Sequence, residues 1–246
     1  MNMKLKNLFS ILALTLTICI SAGHRVRADH ASPTGTLRGI VKLDGTMPPS
    51  RPINMGADPT CAKQHPAAAL NQEVMIDPKG GLQNVIVFVA DGLDGRTFDP
   101  PTQPAVIEQK GCIYQPHVLA LQANQPLQVI NDDPTTHNIH AMPVNNREWN
   151  KAEQPGSKIE ESFPRQELGI PVKCNIHPWM RSYIAVFKHP FFAVTAKDGS
   201  FELGNLPPGT YTVQAWHEKL GMATQKITIG GNENKSVNFV LTAKAN

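Results

Sequence analysis

Within seven residues the chain places a cysteine, a histidine and a methionine: Cys174-Asn-Ile-His177-Pro-Trp-Met180. Thiolate, imidazole and thioether together suit a soft, redox-active metal such as copper. Two imidazoles and one thiolate in a plane, with a distant methionine, make a centre that passes single electrons. One more imidazole is needed, and Asn131-Asp-Asp-Pro-Thr-Thr-His137-Asn138-Ile-His140 offers two. On a regular strand, residues three apart face opposite sides, so only one of His137 and His140 can reach a given metal.

The elements that must position these ligands are strands. Ile170, Val172 and Cys174 recur with period two, which turns the thiol inward at the end of a strand. Pro178 argues against a helix through the ligand loop, and a helix would carry Met180 well round from Cys174. The run Tyr-Ile-Ala-Val-Phe187 beyond Met180 reads as the returning strand. Strand, loop and strand can bring His177 and Met180 back toward the sulfur.

These residues resemble the cupredoxins, and among them the amicyanin type, whose ligand loop has the same C-x-x-H-x-x-M spacing, with Pro after the His and Arg after the Met. The likeness runs over residues 103–188, about a third of the chain, and includes the stretch from Tyr114 through Ile130 to His137-Asn138. It implies a Greek-key β-sandwich holding one type 1 (blue) copper. His137, Cys174 and His177 then correspond to the equatorial ligands, Met180 to the axial one and His140 to a non-ligand position. It further implies an electron carrier between a redox donor and acceptor, with a dehydrogenase or a cytochrome as possible partners. The chain departs from the pattern at Ile176, where amicyanin-like loops commonly have proline. Ile176 keeps its backbone N–H and is expected, beside Asn138 N–H, to hydrogen-bond the thiolate, stabilising the reduced state and raising the potential.

The compartment expected from the sequence agrees with such a site. Lys4 and Lys6, an apolar run from Leu8 to Ile20, and Val26-Arg27-Ala28 have the three parts of a secretory signal peptide over residues 1–28. The apolar run is shorter than the roughly 20 residues that span a bilayer. A periplasmic or secreted protein with no stable membrane insertion is therefore expected. Cleavage after Ala28 removes Lys4, Lys6, Arg25 and Arg27 and no acidic residue, taking the formal charge from +3 to −1. No basic cluster then remains to suggest nucleic acid. Of the four cysteines, Cys19 lies in the leader and Cys174 is a ligand. Cys61 and Cys112 are left for a disulfide, worth about 4 kcal/mol in the chain-entropy model.

The rest of the chain points to a second all-β module. Asp198-Gly199 between alternating runs signals a hairpin, and Leu206-Pro-Pro-Gly-Thr-Tyr211 reads as a turn into a further strand that runs to Trp216. This part resembles the carboxypeptidase regulatory-like domains, small β-sandwiches of the transthyretin (prealbumin) type. Their first-strand motif occurs here at the other end of the chain, in Gly35-Thr-Leu-Arg-Gly39-Ile-Val41. Residues 34–100 and 189–244 are therefore expected to form one discontinuous sandwich, with the copper domain (103–188) inserted and stapled to it by the disulfide. An independent C-terminal domain is the alternative.

Smaller features invite plainer readings. Met142 and Trp179 read as packing residues, His217-Glu218 as a structural pair, and His65 and His117 lack companion ligands. There is no Gly-rich phosphate loop, no G-x-S-x-G and no H-E-x-x-H, so no enzyme is expected. A catalytic type 2 copper ranks second because of the thiolate. The other functions open to the sequence are copper trafficking without redox turnover and a carbohydrate- or protein-binding β-sandwich.

Overall fold

The computed structural model describes residues 33–243; the signal peptide expected over residues 1–28 lies outside them. Seventeen strands and one short helix follow in chain order. The first part of the chain gives β1 (Gly35–Asp44), α1 (Pro59–Lys63) and β2 (Ile86–Asp91). The central part gives β3 (Ala105–Gln109), β4 (Tyr114–Gln115), β5 (Val118–Gln122), β6 (Leu127–Asn131), β7 (His137–Ala141), β8 (Trp149–Glu153), β9 (Lys158–Glu161), β10 (Glu167–Lys173) and β11 (Arg181–Phe187). The last part gives β12 (Phe192–Val194), β13 (Ser200–Leu206), β14 (Gly209–His217), β15 (Gly221–Ile229), β16 (Asn234–Ser236) and β17 (Phe239–Thr242).

The central strands form two facing sheets, β4-β3-β6-β9 and β5-β11-β10-β7-β8. Between them lies an apolar core that includes Ile107, Leu121, Leu127, Val129, Ile139, Ile170, Val172 and Ile184. Their alternation along each strand is what a sandwich with one buried face per sheet requires. The first and last strands of the chain complete two further sheets. In one, β1 pairs with β13, β16 and β17; in the other the order is β12-β2-β14-β15. Leu37, Val41, Val87, Val89, Tyr211, Val213 and Phe239 close the core between those two. A third apolar cluster, of Ile86, Phe88, Val118, Ala185 and Phe187, joins the sheet of β2 to that of β11.

Two expectations from the sequence are corrected. Asp198-Gly199 does turn the chain, with Gly199 at φ +80° and its N–H bonded to the Ala196 carbonyl. The flanking strands do not pair with each other, however: β12 joins β2 and β13 joins β1. The turn is a corner between opposed sheets, because Phe201 and Leu203 must reach the face that packs against β14. Nor does the whole of residues 34–100 pack with the flanking sandwich. Ile53, Met55, Cys61 and Ala69 pack into the core beneath the ligand loop. There the disulfide Cys61–Cys112 ties α1 to the turn after β3, so residues 53–69 form a strap over the ligand end of the central sandwich.

Candidate metal centre

The ligand loop joins β10 to β11, and Ile170, Val172 and Cys174 are all buried on the inward face, as the alternation required. Cys174 N–H donates to the Met180 carbonyl (3.2 Å) and Met180 N–H to the His177 carbonyl (3.0 Å), which folds the loop back on itself. Cys174 and His177 are each 2% exposed, and Met180 and His137 not at all. His137 opens β7, next to β10 in the sheet. The ligand atoms of His137, Cys174 and His177 lie within 4.8 Å of one another, and the Met180 side chain packs in the same core as Cys174.

The imidazole hydrogen bonds give this cluster its chemical meaning. His137 Nε2–H donates to Asp133 Oδ2 (2.8 Å) and His177 Nε2–H to Asp58 Oδ2 (3.0 Å). With both Nε2 atoms committed as donors to carboxylates, the Nδ1 atoms are the ones that face inward. These face each other at 2.9 Å, with Cys174 Sγ 3.8 Å from His177 Nδ1. Two inward nitrogens and a sulfur converging in a buried space call for a shared proton or a metal cation among them, and this donor set fits copper.

The electrostatics agree. Burial raises the Cys174 thiol, but a hydrogen bond with His137 and the backbone N–H groups of Asn138, His177 and Ile176 outweigh it and bring it to about 6. Burial likewise opposes charge on His137, yet Asp133 and Cys174 lift it to about 9. For Asp133, burial opposes ionisation and the His137 bond and the Cys112 and Gly111 N–H groups overcome it. The His177 bond is the main reason that the Asp58 carboxyl lies below its usual range. A thiolate beside an imidazole that favours its protonated form makes a buried anion–cation pair, whose proton a metal ion would replace.

Ile176 is half exposed, and its N–H is the weakest of the backbone groups that lower the thiol; among the described contacts the amide that hydrogen-bonds the sulfur is His177 N–H, at 3.4 Å. Asn138 adds a side-chain role to the expected backbone one. Its Oδ1 accepts from Asn175 N–H (2.7 Å) and lies 3.3 Å from Sγ. His140 turns away to Glu148 (2.7 Å) and belongs to none of the ligand clusters among the described residues. His65 bonds the Gly111 carbonyl (2.6 Å), and His117 forms a buried pair with Glu218 (2.6 Å).

Sequence reasoning did not find Asp58 or Asp133. Signals for both were present: Asp58-Pro59-Thr60-Cys61 is a helix N-cap signature attached to a disulfide cysteine, and Asp133 precedes His137 by four residues inside its turn.

Comparison with known proteins falls on both halves of the chain. The Carboxypeptidase regulatory-like domain family matches residues 184–242. No curated protein sequence matches the chain. Among solved structures, a purple cupredoxin from Nitrosopumilus maritimus is similar at 23% identity over 33% of this chain and 98% of its own (TM-score 0.29). An oxidized mutant of amicyanin is similar at 18% identity over 33% and 79% (TM-score 0.31). A Cu-containing nitrite reductase from Thermus scotoductus SA-01 is similar at 17% identity over 40% of this chain but only 25% of its own (TM-score 0.33).

Proposed function

We propose that this chain is an exported one-electron carrier whose type 1 copper is held by His137, Cys174, His177 and Met180. The observation that carries the reading is the pair of inward Nδ1 atoms set 2.9 Å apart beside Cys174, each imidazole fixed from behind by an aspartate. Copper, when bound, supplies the Cu(II)/Cu(I) exchange. The chain's own residues keep the thiolate ionised, exclude water and hold the imidazoles. Burial of all four side chains favours a retained metal over one handed to an acceptor, and leaves no open position for a substrate, so the protein is read as a carrier and not an enzyme. Trp179, half-buried and with its ring 5.1 Å from that of His177, offers an aromatic path to the surface. There an unidentified redox protein would dock. The Cys61–Cys112 disulfide supports an oxidising compartment, and no described helix is long and apolar enough to cross a membrane.

The test is the visible spectrum of residues 29–246 after addition of Cu(II), beside Cys174→Ser. The expected result is an intense band toward the red, absent in the variant and bleached by mild reductant. A protein that stays colourless and retains no copper would sink the reading.

A further inference from the structure

The strap over the ligand end of the central sandwich has more than packing to offer. Helix α1 spans five residues, and Asp58 is its N-cap, accepting from Thr60 N–H (2.7 Å) and Cys61 N–H (3.2 Å) through Oδ1. Its other oxygen, Oδ2, takes the His177 Nε2–H. Cys61 continues into the disulfide with Cys112. Cys112 N–H in turn donates to Asp133 Oδ2 (2.8 Å), the same oxygen that accepts from His137. Each half-cystine thus gives its amide to the aspartate behind one ligand imidazole. Trp179 adds a third tie, its indole N–H donating to the Cys112 carbonyl (3.0 Å).

We propose that Asp58 is a positioning residue of the metal centre, presented by the α1 cap and anchored by the disulfide, which holds His177 in the Nε2–H tautomer and so offers Nδ1 to the metal. The inference rests on the metal-centre reading, but its structural half does not need a metal. An imidazole facing a fixed carboxylate keeps its proton on that side, and the tautomer decides which nitrogen can ligate. Without Asp58, His177 Nε2 has only Cys61 Sγ at 3.7 Å as a further neighbour among the described contacts. That is a poor acceptor, so the tautomer and the ring orientation lose their bias.

Two variants of the full mature chain separate positioning from folding. Asp58→Asn keeps an N-cap of equal quality and removes the charged acceptor; Asp58→Ala removes both. The first readout is long-range nitrogen–proton NMR of the metal-free protein, which reports the His177 tautomer. Wild type is expected as Nε2–H, Asp58→Ala as a mixture with Nδ1–H, and Asp58→Asn in between. The second is affinity for Co(II), expected to fall about 10- to 100-fold in Asp58→Ala and less in Asp58→Asn. The double variant Cys61→Ser/Cys112→Ser should move both readouts in the same direction. A His177 tautomer unchanged in Asp58→Ala overturns the proposal. If wild type binds no metal while the tautomer still depends on Asp58, the metal-centre reading falls and the positioning of His177 stands.

Discussion

Buried imidazoles occur in both halves of the molecule, and their fates are opposite. In the central sandwich His137 is fully buried, yet Asp133 and Cys174 overcome the burial and lift it to about 9. In the flanking sandwich His217, at the end of β14, is 1% exposed, and burial pushes it down to about 4. Its Nε2 has no partner among the described residues, and its Nδ1 accepts from Lys219 N–H (3.1 Å). His189 behaves like His217, lowered mainly by burial, with Nδ1 accepting from Phe191 N–H (3.2 Å). Burial alone therefore makes a neutral, structural histidine. A site ready for a cation needs carboxylate and sulfur aimed at the rings as well.

The most severe way to break this contrast is to strip the partner from His137. Asp133→Ala leaves the Nε2–H of His137 and the N–H groups of Gly111 and Cys112 facing a void. Removing one member of a buried charged pair costs about 3–5 kcal/mol. Urea unfolding of the metal-free protein should show that loss. A loss below about 1 kcal/mol would mean that Asp133 is incidental and that the two halves differ less than the geometry says.

A second test comes from the other half. The His217 folded value is depressed, so between pH 6.5 and about 4 the unfolded chain binds a proton that the folded one refuses. Stability attributable to this residue is full above pH 6.5 and declines as the pH falls through that window, by about 3 kcal/mol at most. His217→Asn, which keeps an acceptor for Lys219 N–H without a titrating ring, should flatten that part of the stability–pH profile. An unchanged slope would show that His217 is not the acid-sensitive group.

The halves also differ in how much of them could be read from sequence. The ligand loop was legible because its geometry is local: period-two burial of Ile170, Val172 and Cys174, then a proline that forbids a helix. The partners behind the imidazoles were not, because one lies 119 residues from its histidine. The disulfide and the packing of Ile53, Met55 and Ala69 bring Asp58 there. In the flanking sandwich the strands themselves were legible, from β1 through β14. The pairing around Asp198-Gly199 was misread because a two-residue turn signal states that the chain reverses, not which sheet receives each arm. That choice is made by Phe201 and Leu203 on one side and by the Phe192–Phe88 register on the other, contacts between segments far apart in the chain.

The gentlest perturbation sharpens the contrast at its weakest link, the amides that face the sulfur. Cys174 is held as a thiolate against burial by His137 first and then by the N–H groups of Asn138, His177 and Ile176, with Ile176 last in weight. Each such bond draws electron density from the sulfur and so would favour the reduced over the oxidised state of a copper held there. Ile176→Pro removes one amide proton at a half-exposed position, where the loss of side-chain packing is small. One hydrogen bond is worth about 1 kcal/mol net, and a one-electron couple shifts by about 59 mV per tenfold change in equilibrium constant. The potential should therefore fall by a few tens of millivolts, roughly one such step, with the visible band retained. Protein-film voltammetry reads this directly. A potential that holds or rises would assign the tuning to His177 N–H and Asn138 alone, and make the departure at Ile176 neutral for the sulfur.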